Sequence, residues 1–141
     1  MALNLLTIPQ IEERLRTLCS RIAPAYAGLS LRTTPGHDGS DHIEIHGGQY
    51  HQVVTERGLE LSRQSTADVE ELLYWLTRDI AWGRAVGYEL RHRTAGRSFR
   101  RLIFAKWVEY MSRVRPDWAE RVQAEIDAIL AEHPYDDAVE G

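Results

Sequence analysis

Four of the six histidines fall between positions 37 and 51, in the stretch HDGSDHIEIHGGQYH. His42, Glu44 and His46 alternate there and so share one face of an extended segment. Asp38, Asp41 and His51 lie close by in sequence. Imidazole and carboxylate are the ligands that zinc or a non-haem metal takes. No helical H-x-x-x-H and no cysteine pair accompanies them, and the polar face of an edge hairpin has the same composition. The residues therefore predict no metal and no cofactor, with a small metal-binding domain as the alternative.

A second set is basic: Arg84, Arg91, Arg93, Arg97, Arg100 and Arg101. Phosphate contacts are one use for such a run. No nucleic-acid motif accompanies it, and the chain carries a net charge of −4. That charge is unevenly spread. Residues 78–115 hold 10 basic and 3 acidic side chains, a net of +7, while residues 116–141 hold 1 and 8, a net of −7. Two accounts follow. Basic and acidic helices lie side by side and neutralise each other, the carboxylates of the last helix pairing with these arginines. Alternatively, one acidic surface is left to meet a basic partner. Direct nucleic-acid binding is not expected, although a nucleic-acid-associated regulatory domain stays among the alternatives.

Catalysis is not expected either. G-x-S-x-G, P-loop and dinucleotide fingerprints are all absent from the sequence. Paired carboxylates such as Glu70-Glu71 and Asp136-Asp137 are adjacent and so diverge. The single cysteine, Cys19, excludes an internal disulfide and points to a reducing cytosol. The opening MALNLLTIPQ lacks the basic n-region of a signal peptide, and no apolar run approaches a membrane span.

These residues need a scaffold, and its periodicities can be read. Ile8, Ile11, Leu15, Leu18 and Ile22 predict a first helix over Thr7–Ala23, opened by a Thr7/Gln10 capping box. Leu29–Thr34, His42–His46, Tyr50–Glu56 and the Leu59/Leu61 stretch predict an antiparallel meander of three to four strands, with turns at Gly47-Gly48 and Arg57-Gly58 and an apolar face covered by helices. The centre is Thr66–Arg93. Val69, Leu73, Leu76, Ile80, Gly83, Gly87 and Leu90 mark one face of a long helix, with Trp75, Trp82 and Val86 opposite and a cap at Ser65 or Thr66. Gly83 and Gly87 suggest close approach of another backbone, the alternative being a helix that ends near Ala81. Ser98 opens a third helix that is buried round most of its circumference. Pro116 opens a fourth, with Ala119, Val122, Ile126 and Ile129 inward, and 134–141 reads as a loose acidic tail. The expected fold is one α+β domain over 1–141: an N-terminal helix, a small antiparallel sheet, then three helices including the long central one.

One resemblance adds to this. Glu56-Arg57-Gly58, Glu71-Leu72-Leu73-Tyr74-Trp75, Tyr88-Glu89, Phe99-Arg100-Arg101 with Phe104, Trp118 and His133-Pro134-Tyr135 carry it, over about residues 50–137. In these the chain resembles bacterial immunity proteins of polymorphic toxin systems, most closely the immunity protein 63 family. The resemblance implies a cytoplasmic antidote that binds a cognate toxin domain stoichiometrically, without catalysis and without a membrane; no oligomeric state is implied. Trp75, Trp82, Gly83, Gly87, Arg100 and Arg101 are then structural. The less matched parts are the expected partner contacts: Asp38, Asp41, His42, Glu44 and His46 on the strands, and Glu125, Glu132 and Asp136 at the acidic end. Tyr26, Tyr50 and Tyr135 are candidate anchors.

Overall fold

A computed structural model describes residues 5–141, so the reading of the first four residues lies outside it. The first helix, α1 (Ile8–Cys19), opens with the expected capping box: the Thr7 N–H donates to Gln10 Oε1 at 2.8 Å and the Gln10 N–H to Thr7 Oγ1 at 3.3 Å. It buries Ile11, Leu15 and Cys19 on one stripe. The helix stops four residues earlier than its spacing suggests, because Arg21 and Ile22 turn back onto the carbonyls of Leu18 and Cys19 and Pro24 has no N–H to continue the ladder. Pro24–Gly28 is a 3₁₀ turn.

Leu29–Thr34 is not a strand. Two of its backbone groups go to α1 side chains: Arg16 Nε donates to the Leu29 carbonyl at 2.6 Å, and the Leu31 N–H donates to Glu12 Oε2 at 2.9 Å. Among the described residues a single backbone bond, from the Ile43 N–H to the Arg32 carbonyl at 2.9 Å, joins it to the sheet. The sheet therefore has three strands, β1 (Asp38–His46), β2 (Gln49–Glu56) and β3 (Leu59–Thr66), in an antiparallel order β1-β2-β3. Both hairpin turns take positive φ at both central residues, +62° and +73° at Gly47-Gly48 and +51° and +81° at Arg57-Gly58. This matches the right-handed twist of the paired strands. Ile43 and Tyr50 enter the core from the inner face. Leu59 and Leu61, expected beneath a helix, are exposed, because β3 lies beyond the reach of the helices and buries almost nothing.

Asp68, not Ser65 or Thr66, caps α2 (Val69–Arg91), accepting from the Glu70 N–H at 2.9 Å. At 1.5 Å per residue this helix is about 34 Å long. It runs unbroken through Gly83 and Gly87. All six residues Leu72–Thr77 are buried, which a helix achieves only when enclosed on every side. Trp75 is in this segment; its indole N–H donates to Glu71 Oε1 at 3.1 Å. Beyond Thr77 the buried line is Ala81, Ala85 and Glu89. Trp82 and Leu90 are exposed.

α3 (Phe99–Val114) starts at Ser98 as expected and buries Ile103, Phe104, Trp107, Tyr110, Met111 and Val114. α2 meets it through the Trp107 indole N–H, which donates to the Arg78 carbonyl at 3.0 Å, and through Arg84 over the Tyr110 ring. Residues 81 and 85 lie between positions 78, 82 and 84 on the helical wheel. Alanines, not glycines, thus supply the close approach. A Cβ at Gly83 would meet nothing within 4 Å, so the expected backbone neighbour is absent there.

α4 (Pro116–Glu132) packs Trp118 edge-on against Tyr74 at 5.7 Å and buries Val122 and Ile126, while Ile129, expected inward, is 38% exposed. The end of the chain is not loose. Asp136 caps a short turn, α5 (Asp137–Glu140), whose carboxylates grip the start of α3: Glu140 pairs with Arg100 at 2.6 Å and Asp137 with Arg101 at 2.9 Å. No helix of the described residues is long and apolar enough to cross a membrane.

With no neighbour to strike, Gly83→Ala should stabilise the fold by about 0.5–1 kcal/mol through lower chain entropy in the unfolded state and better helix propensity. Urea unfolding measures it. A lower midpoint in the variant contradicts the open environment assigned to this position.

Candidate partner-binding surface

Alternation along β1 sends His42, Glu44 and His46 to the face of the sheet away from α2, opposite Val53, His51 and Gln49 of β2. Glu44 is the hub. Its Oε2 lies 2.7 Å from His42 Nε2, and its Oε1 lies 3.0 Å from His46 Nε2 and 3.1 Å from Arg63 Nη1. These hydrogen bonds, from His42 first, then His46 and Arg63, hold its carboxyl down at about 2. Arg63 also grips Glu60, with Nη2 at 2.8 Å from Oε1. His46 stacks on His51 at 4.0 Å between ring centroids. The His51 Nε2–H donates to the His46 carbonyl at 3.1 Å, leaving Nδ1 to accept from Ser65 Oγ at 2.7 Å. Each imidazole is thus turned to a neighbour rather than towards a common centre. Among the described residues no three metal-ligating side chains are arranged around one point. The arrangement is a plate of linked polar and charged side chains centred on Glu44.

A second polar system crosses the molecule from the sheet to α4. Gln52 Nε2 donates to Asp41 Oδ2 and to Asp79 Oδ2, each at 2.9 Å. Arg78 continues it, with Nε 3.3 Å from Asp79 Oδ1 and Nη1 3.1 Å from Glu125 Oε1. Burial pushes the Asp79 carboxyl above its ordinary value, against the pull of the Arg78 guanidinium and the Gln52 amide. Beside this chain runs an open groove between α2 and α4, lined by Trp82, Trp107, Ala128 and Ile129 together with Arg78, Asp79 and Glu125.

The structure therefore divides the expected contact residues. Asp41 and Glu125 belong to one continuous polar chain. His42, Glu44 and His46 form the plate, although His42 is itself buried. Asp38 is exposed at the start of β1, accepting from the Ser40 N–H at 3.1 Å. Glu132 is exposed at the end of α4, and Asp136 is spent as a cap. Tyr50 is no anchor: it is core, its hydroxyl accepting from the Leu6 N–H at 2.7 Å. Tyr26 lies under Arg84, and Tyr135 lies under Arg101 at 4.2 Å. Burial pushes the Cys19 thiol up to about 11, which makes it a poor nucleophile.

Half of the basic run is paired inside the molecule, with partners other than the helix-four carboxylates expected from sequence. Arg93 makes a two-pronged contact with the buried Glu89, at 3.0 and 2.8 Å, while Arg100 and Arg101 hold α5. Only Arg78 reaches a carboxylate of α4 from α2. In the other direction Arg121 of α4 grips Glu71 of α2, at 2.8 and 2.9 Å. Sequence reasoning missed Gln52, Arg78 and Asp79. The adjacent opposite charges at Arg78-Asp79, flanking the Trp75/Trp82 line, were the available signal.

Set against protein-family models, residues 46–128 match the one described as immunity protein 63, which covers more than half of the chain. The match spans β2, β3, α2, α3 and most of α4, and leaves Asp38 to Glu44, Glu132 and Asp136 outside it. No curated protein and no solved structure matches.

Because folding lowers the Glu44 pKa from 4.5 to about 2, its contribution to stability is complete above pH 4.5 and disappears as the pH falls towards 2. Glu44→Gln should lower the urea midpoint at pH 7, and the gap between variant and parent should close across that interval. A gap that stays constant with pH contradicts the hub assigned to Glu44.

Proposed function

Because the chain belongs to the immunity protein 63 family, we propose that it is a cytoplasmic antidote, which neutralises a cognate bacterial toxin domain by stoichiometric binding and turns over no substrate. The observation that carries this reading is the family match across β2 to α4. The physical chemistry supports it. Arg93, Arg100 and Arg101 are committed to carboxylates, which takes half of the basic run away from a polyanion. That disfavours the alternative of a nucleic-acid-associated regulatory domain. The histidines that a metal-binding domain would use are tied to Glu44, Ser65 and a backbone carbonyl.

The carboxylates are less fully used. Glu120, Asp127 and Glu132 are exposed along α4 and have no cationic partner among the described residues. A toxin whose cleft is basic meets these groups much as it would meet phosphates, and their field speeds the encounter. A rigid inhibitor also loses little conformational freedom on binding, which favours tight association. The contact surface on this reading comprises the strand residues Asp38, Asp41, Glu44 and His46, with His42 buried behind Glu44, and the α4 edge with Glu125 and Glu132.

The decisive test is co-expression with the toxin domain encoded beside it. Cells making the toxin domain alone should die, and cells making both should grow and yield a stoichiometric complex. Cell death despite well-folded protein, with no complex recovered, removes the antidote reading.

A further inference from the structure

The groove between α2 and α4 combines features that favour one kind of guest. Its floor is aromatic and aliphatic, yet Trp82 is 37% and Ile129 38% exposed. Trp82 is held edge-on to Trp107 at 4.9 Å, so its face is presented in a fixed orientation. Asp79 and Glu125 stand at the rim. On α4, Glu125, Ile129 and Glu132 follow at i, i+4 and i+7, so Glu132 extends the acidic edge along the same side of the helix. Against these three stands one guanidinium, that of Arg78, which also lines the groove, bonded to Asp79 and Glu125 and lying over the Tyr74 ring. A concave apolar surface with surplus negative charge at its edge repels an anion. It leaves unused charge if filled by an aliphatic side chain.

The geometry points to this groove as the seat of an arginine side chain of the toxin, its stem along Trp82 and Ile129 and its guanidinium at Asp79 and Glu125. This rests on the antidote reading and names the chemistry of its partner. Arginine fits better than lysine because a planar guanidinium both stacks on an indole face and bonds carboxylates in pairs. Residues of this kind, an aromatic platform closed off by charged neighbours, dominate the energetics of interfaces. Arg78 displays the same mode within the chain, stacked on an aromatic ring while bonded to two carboxylates.

Two measurements test the inference. In the first, the indole N–H signals of ¹⁵N-labelled protein are followed by NMR during titration with N-acetyl-arginine amide, and in parallel with the norleucine and glutamate analogues. The arginine probe should move the Trp82 signal saturably, with an affinity on the order of millimolar, and the Ile129→Arg variant, whose own side chain fills the groove, should abolish the response. Equal responses to norleucine identify an apolar pocket, and no response leaves no arginine seat; either overturns the inference. In the second, Ile129→Arg with an unchanged melting temperature should bind the toxin domain at least about tenfold more weakly than the parent. If the parent neutralises the toxin and the variant does so equally well, the groove assignment falls while the antidote reading stands. If the parent itself neutralises nothing, the antidote reading falls, and the titration alone decides whether the groove takes arginine.

Discussion

Six consecutive buried residues, Leu72 to Thr77, are the constraint on which the rest of the molecule depends. A helix turn has no outside when every position in it is covered, so neighbours must approach from all directions at once. α1 and the inner face of the sheet close one side, α3 and α4 the other. Tyr74 meets Trp118 of α4, and the Arg78 carbonyl one residue beyond takes the Trp107 indole of α3. Burial of this segment is what joins the three strands and the helices into a single packed unit.

Charge then trims what packing has assembled. Several arginines are bound to carboxylates distant in sequence: Arg14 and Arg115 to Glu70, Arg121 to Glu71, and Arg100 and Arg101 to α5. Several of these pairs are half exposed and individually contribute little. Their collective effect is positional, fixing α4 on α2 and the end of the chain on α3. Of the two accounts of the uneven charge, internal pairing is seen for half of the basic run, with Glu89 and the α5 carboxylates rather than those of α4 as partners.

Where chemistry is local, the sequence was legible. The Thr7/Gln10 box, the Gly47-Gly48 turn, the Ser98 cap and the unbroken course of α2 each depend on a few adjacent residues, and each is found in the structure. The α+β fold and the family likeness followed from such pieces. What escaped was non-local. Leu29–Thr34 has the composition of a strand, but α1 side chains capture the Leu29 carbonyl and the Leu31 N–H. The acidic end reads as a tail because its partners lie about forty positions back. Gly83 and Gly87 misled for another reason: small side chains are needed where α2 meets α3, and Ala81 and Ala85 meet that need. The polar chain from Asp41 to Glu125 joins four separate elements, so no spacing in the sequence could announce it.

The account claims a scaffold locked around the first half of α2, and a contact surface built on the acidic edge of α4 and the outer face of the sheet. Hydrogen exchange, followed on the chain alone and in complex with the toxin domain, addresses both together. The account requires the amides of Leu72–Thr77 to exchange slowly in either state, with new protection on binding along residues 125–132 and in the β1–β3 strands. Rapid exchange of Leu72–Thr77 in the chain alone, or binding-induced protection confined to α1 and the start of α3, contradicts it.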